Sequence, residues 1–182
     1  MLSLRELLAR AFRAAATAAE GQRVVPISVQ RQLQSNWCWA ACSSSASAFY
    51  DAASTWGQCG IVNAEMEQSG CCGSGNSPGC NVPWYLDRAL RRTGNLARKS
   101  AGPARWETVR SEIDAGRPLA VRIGWFGGGG HFVMITGYRA AGGAREVDVQ
   151  DPWTGTSHIT MDVLTNSYKS RGRWTHTYLT RR

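Results

Sequence analysis

At Arg117-Pro118 the hydrophobic pattern of the chain changes period, and that change limits what it can fold into. Upstream, Val82, Leu86 and Leu90 recur at helical spacing with Gly94 as a stop, which predicts a helix over Asn81 to Gly94. Trp106, Val109, Arg110 and Ile113 repeat the pattern, and Gly116 ends it. Downstream, Leu119 to Trp125 and Phe132 to Tyr138 are short apolar runs that read as strands. Glu146 to Gln150 alternates as a half-buried strand does, and Ser157 to Met161 and Thr175 to Leu179 read as further strands. Pro26 makes Val24 to Val29 an extended lead-in. A helix-rich half followed by a strand-rich half predicts an α+β architecture.

The stretch from Trp56 to Pro83 obeys neither period. It holds Cys59, Cys71, Cys72 and Cys80 among Gly, Ser and Pro residues, and such a segment buries too little to order itself without cross-links. Two disulfides are the economical solution. Four cysteines allow three pairings, and only the direct Cys71–Cys72 bond is disfavoured by geometry. Structural zinc is the alternative, although the spacing lacks a Cys-x-x-Cys knuckle. Disulfides imply an oxidising destination.

Two cysteines stand apart, Cys38 and Cys42, and the stretch Gln32 to Cys42 is where chemistry is expected. A polar loop turns into a helix at Cys38, running to about Tyr50, with Asn36 or Ser35 available as its cap. The positive end of a helix dipole favours the thiolate, the nucleophilic form of a cysteine. Gln32, six residues earlier, sits where its amide can donate to an oxyanion beside the Cys38 backbone N–H. Cys42, one turn on, reads as a core residue.

A cysteine nucleophile needs a base. His131 follows four glycines and opens a predicted strand, and Gly-rich backbone lets other segments approach closely. Asp151 opens the loop after the next strand. In an antiparallel pair the start of one strand lies beside the end of its neighbour, which brings Asp151 to the His131 ring as its orienting group. Trp153 is positioned to shield that hydrogen bond from water. His158 and His176 lie mid-strand without motifs and read as surface or core histidines.

Taken together, Gln32, Cys38-Trp39-Ala40, Gly130-His131 and an acidic residue followed two later by Trp153 resemble the papain-like cysteine peptidases. The resemblance is to the bacterial branch that includes the type III-secreted avirulence proteases of plant pathogens. It implies a papain-like fold, with a central helix carrying the nucleophile packed against an antiparallel sheet. It also implies catalytic roles for Cys38 (nucleophile), His131 (base, then acid), Asp151 (orienter) and Gln32 (oxyanion donor). The chain departs from eukaryotic papains in having Asp151 in place of an amide residue, and Asn36-Trp37 in place of Gly-Ser.

The expectation is a cysteine endopeptidase working through a thioester on a protein or peptide substrate, as a monomer, with no cofactor or metal. The alternatives are an amidase, deamidase or acyltransferase using the same triad, and a non-catalytic disulfide-stapled binding module. The net charge of +8 invites a nucleic-acid partner, but the basic residues are dispersed and no nucleic-acid motif organises them, so none is expected. No apolar run approaches the ~20 residues a membrane span needs. Residues 1–23, rich in Ala, Leu and Arg, read as a leader, pro-segment or amphipathic helix ahead of a peptidase domain at 24–182, and export to the periplasm, the exterior or a host is expected.

Overall fold

The structure, a computed structural model, describes residues 21–182. The expectation for the N-terminal segment therefore lies outside the described residues up to position 20. Its last residues do not, because Gly21–Val24 form the first strand, β1, which joins the sheet.

Six further strands follow: β2 (Leu96–Ala101), β3 (Leu119–Trp125), β4 (Gly130–Ala141), β5 (Ala144–Asp151), β6 (Gly155–Thr160) and β7 (Gly172–Thr180). They form one antiparallel sheet in the order β2-β7-β3-β4-β5-β6, with β1 on β4. β4 is its spine. Gly130 to Ile135 pair with β3, while Gly137 to Ala140 pair with β1 where β3 has ended. Eight consecutive residues, His131 to Tyr138, are buried, as the unbroken apolar run requires of a strand covered on both faces. The β4–β5 turn is Gly142-Gly143 with φ of 57° and 83°, the two positive values a tight hairpin turn demands.

Against this sheet lie α1 (Cys38–Tyr50), α2 (Gln58–Met66), α3 (Leu86–Arg92), α4 (Trp106–Asp114) and α5 (Met161–Asn166). The first ten residues of α1 are buried all round, serines included. Burial of hydroxyls is tolerable because each finds a partner. Ser45 Oγ accepts from the Gln30 N–H and donates to the Ala41 carbonyl, Ser44 accepts from the Gln30 amide, Ser47 pairs with Ser54 and Ser43 meets Thr93. Cys42 is completely buried, as expected of a core residue.

Two expectations are corrected, and one strand was not foreseen. The helix predicted from Asn81 begins only at Leu86, because Pro83 and its neighbours stay extended and the carbonyl of Val82 is spent on the indole of Trp39. β2 has no counterpart in the sequence reading, since LARKSA shows no apolar–polar alternation and lies mostly exposed along an edge. The N-cap of α1 is Trp37, with no side-chain cap. Asn36 and Ser35 instead bond Asn81.

The cysteine-rich segment is closed by Cys59–Cys72 and Cys71–Cys80, which leaves none of the four for zinc. It then serves as a brace for the loop before α1. Trp37 Nε1 donates to the Cys80 carbonyl at 2.8 Å, and Asn36 is bonded through both its N–H and its side chain to Asn81. Gly75 permits this contact: a Cβ there would stand 2.9 Å from the Trp37 ring and 3.1 Å from the Cys71 carbonyl.

Candidate active site

Cys38 is the first residue of α1, so its backbone N–H belongs to the helical turn that has no intrahelical acceptors. Its side chain faces the start of β4, where His131 sits. The strand register explains how Asp151 reaches the same place. Met134 pairs with Gln150, so Asp151 falls opposite Val133, on the face of β4 that also carries His131. His131 Nε2 lies 2.7 Å from Asp151 Oδ1, and the same ring is coupled electrostatically to Cys38. With Nε2 engaged by the carboxylate, Nδ1 is the nitrogen left for the sulfur.

The electrostatics follow from these contacts. Burial opposes a charged imidazole, but the hydrogen bond to Asp151 and the pull of Cys38 and Asp151 outweigh it, raising the His131 pKa from 6.5 to about 9. For Asp151, burial works against the carboxylate. The bond and charge of His131, with the Trp153 N–H and the Tyr168 hydroxyl, overcome it and hold the group well below the usual carboxylate range. Burial first, then the charges of Cys38 and Asp151, push the Cys42 thiol up and keep it neutral.

Asp151 is held more tightly than motif reading anticipated. Oδ1 accepts from the backbone N–H of Trp153 at 2.7 Å and of Thr154 at 3.3 Å, and Oδ2 accepts from Tyr168 Oη at 2.9 Å and lies 3.1 Å from Lys169 Nζ. Lys169 also donates to Thr154 Oγ1. Tyr168 and Lys169 arrive through the turn between α5 and β7, and no motif marks them. The ring beside His131 is that of Trp125, stacked at 5.8 Å between centroids with planes 17° apart, and Tyr168 stacks in turn on Trp125. Trp153, expected to be the shield, has a half-exposed ring and contributes its backbone N–H.

Gln32 lies in the loop before α1, tied to the Asp151 turn by its N–H to the Pro152 carbonyl at 3.0 Å. Its side-chain amide donates to the carbonyls of Gln34 and Ser35, both at 2.8 Å, and its buried Oε1 has no partner. The structure thus brings Cys38, His131 and Asp151 together, while the Gln32 amide faces its own loop. His158 is exposed and paired with Asp148 at 2.5 Å.

Cys38, His131 and Asp151 open into a cleft of about 1590 Å³, rimmed by exposed Tyr85, Phe126 and Trp153. His176, read as a surface or core residue, lines this cleft, whereas Gln32 lies outside its lining. Among the described residues no cluster of His, Cys, Asp or Glu can hold a metal ion, and no helix is long and apolar enough to cross a membrane.

Known proteins carry the same architecture. A double glycine motif protease from an AMS/PCAT transporter, solved in complex with the leader peptide, matches with a TM-score of 0.51 at 18% identity, over 90% of this chain and 100% of that one. A structure solved to explain antibody cross-reactivity between the mite allergens Blo t 1 and Der p 1 matches with a TM-score of 0.52 at 13% identity, over 85% of this chain and 67% of that one. At such identities the likeness is one of fold. No curated protein sequence matches significantly. The family model described as Papain-like cysteine protease AvrRpt2 matches residues 19–169. That span takes in the helix, the spine of the sheet and the turn at its end, and by it the chain belongs to the papain-like cysteine protease AvrRpt2 family and is a cysteine peptidase.

Proposed function

We propose that the protein is an endopeptidase in which Cys38 is the nucleophile, His131 the general base and later acid, and Asp151 the residue that orients the His131 ring. The observation that carries this reading is one imidazole shared between Asp151 at 2.7 Å and the Cys38 thiol, in a cleft open to solvent. The raised proton affinity of His131 favours a thiolate–imidazolium pair. The thiolate attacks the scissile carbonyl carbon, and its oxygen becomes an oxyanion. His131 gives its proton to the departing amine as the C–N bond breaks, leaving a thioester on Cys38. Water, deprotonated by His131, then hydrolyses the thioester and restores the pair. The Cys38 N–H and the Gln32 amide are the oxyanion donors, Gln32 exchanging one of its loop carbonyls for the substrate oxygen. The protein acts as a monomer on an extended peptide segment. Its two disulfides support export to an oxidising compartment.

Labelling by iodoacetamide, mapped by peptide mass spectrometry, tests the pair. Cys38 is expected to react selectively in the wild type and not in His131→Ala, with Cys42 unmodified in both. Cys38→Ala is expected to lower peptide hydrolysis by roughly a thousandfold or more. Hydrolysis that survives this substitution overturns the reading.

A further inference from the structure

The cleft carries a charge asymmetry that hydrolysis does not require. Asp151 is the one carboxylate among the residues lining it, and Asp151 is committed to His131, Tyr168 and Lys169. Lys99 and Arg122 line the same cleft as the reacting groups, with Arg122 and Phe132 on the sheet face that alternates with that of His131. Arg122 pairs across β3–β4 with Phe132, the residue that follows His131, and across β3–β7 with His176. Lys99 pairs with Tyr178 across β2–β7, and Tyr178 lies beside Arg122's strand opposite Ala120. These partners all project from one face of the sheet, because cross-strand neighbours share a face. The walls between the two cations are aromatic: Phe132 meets Tyr178 edge-on at 5.9 Å, and the Lys99 ammonium lies 5.8 Å from the Tyr178 ring centre.

The two cations differ in compensation. Lys99 shares the buried carboxylate of Asp87 with Arg91. Arg122 is half-buried, and its guanidinium donates to neutral groups, the Thr175 hydroxyl at 3.1 Å and the Gly129 carbonyl at 3.3 Å. Among the described residues it makes no ion pair with a carboxylate. Nearby, burial and then the charges of Arg122 and Lys99 lower the pKa of His176, so the pocket is positive at a neighbouring side chain. A guanidinium with donors to spare, set between aromatic walls, matches the fork of a carboxylate.

We propose that Arg122, supported by Lys99 and walled by Phe132 and Tyr178, forms a subsite that selects an aspartate or glutamate side chain close to the scissile bond. This rests on the reading of Cys38 as the nucleophile, and the test separates the two. Peptidyl acyloxymethyl ketones carrying Asp, Asn, Ala or Lys in turn at each position are reacted with the protein, and labelling of Cys38 is followed by intact mass. Neutral iodoacetamide serves as the control for the thiol. At one position Asp is expected to label about tenfold faster than Asn, with Arg122→Lys keeping the preference, Arg122→Gln removing it and Arg122→Glu turning it toward Lys. Equal rates for Asp and Asn at every position, with iodoacetamide still selective for Cys38, overturn the subsite and leave the nucleophile standing. Absence of selective Cys38 labelling by any reagent overturns both. A preference for Asp that survives in Arg122→Glu overturns the role of Arg122.

Discussion

The two walls of the cleft present the same chemistry in opposite ways. The sulfur's wall is a loop and a helix whose approach is braced by a segment with little apolar content, closed by Cys59–Cys72 and Cys71–Cys80 and joined to the loop through Asn36, Trp37 and Asn81. The imidazole's wall needs no cross-link. His131 and Asp151 sit on neighbouring strands of a sheet whose spine is buried over eight residues, so register brings them together and the contacts of Trp153, Tyr168 and Trp125 fix their orientation. One wall is positioned by covalent closure and side-chain amides, the other by ladder hydrogen bonds and burial. The lesson is that a reactive pair can be assembled over one shared core from a half set by strand pairing and a half whose approach loop is fastened by disulfides.

The largest effect is expected where the helical wall depends on covalent bonds. Removing Cys71–Cys80 by the double alanine change is expected to cost about 2–3 kcal/mol in urea unfolding. Activity is expected to fall further than the folded fraction, because the Cys80 carbonyl holds Trp37 directly before Cys38. Equal loss of activity and of folded protein counts against that link.

Next is Asp151→Asn, which probes the sheet wall. It is expected to lower kcat/KM about thirtyfold, or ~2 kcal/mol, with little change in fold. It also removes the carboxylate that sustains the imidazolium, so the alkaline limb of the pH–rate profile is expected to move from about 9 toward 6.5. The linkage signs follow for the unaltered protein. The stability that His131 contributes is complete below pH 6.5 and is lost as pH rises through about 9. That from Asp151 is present above its ordinary value of 3.8 and is lost as pH falls below it. An unmoved alkaline limb in the variant breaks the pairing.

The smallest is Asn81→Ala. It deletes the side-chain bonds to the Asn36 N–H and to Ser35 and is expected to cost about 1 kcal/mol of stability, a fall of about 2–4 °C in melting temperature, together with a severalfold fall in kcat.

The sheet half was legible because its apolar runs carry their own period, and the meeting of residues 131 and 151 follows from the pairing of successive strands. The helical half was less so. A cap at Ser35 or Asn36 is a local inference, and it lost to a tertiary one, their bonds to Asn81 some forty-five positions away. The helix expected from Asn81 shortened for the same reason. Strand β2 carries no alternation, being an edge exposed along most of its length. Tyr168 and Lys169 were invisible because the turn that delivers them is set by backbone shape, with positive φ at the non-glycine residues Lys169 and Ser170.

The burial of α1 has a consequence for how the protein matures. Six thiols on an unfolded chain can pair in fifteen ways. Once α1 is packed, Cys42 is withdrawn from solvent and Cys38 opens only into the cleft, so an oxidant acting on the packed chain can no longer draw Cys42 into a wrong bridge. An oxidant that arrives earlier meets all six and can consume the sulfur on which hydrolysis depends. The order in which the helix packs and the bridges close therefore decides how much of a preparation can act.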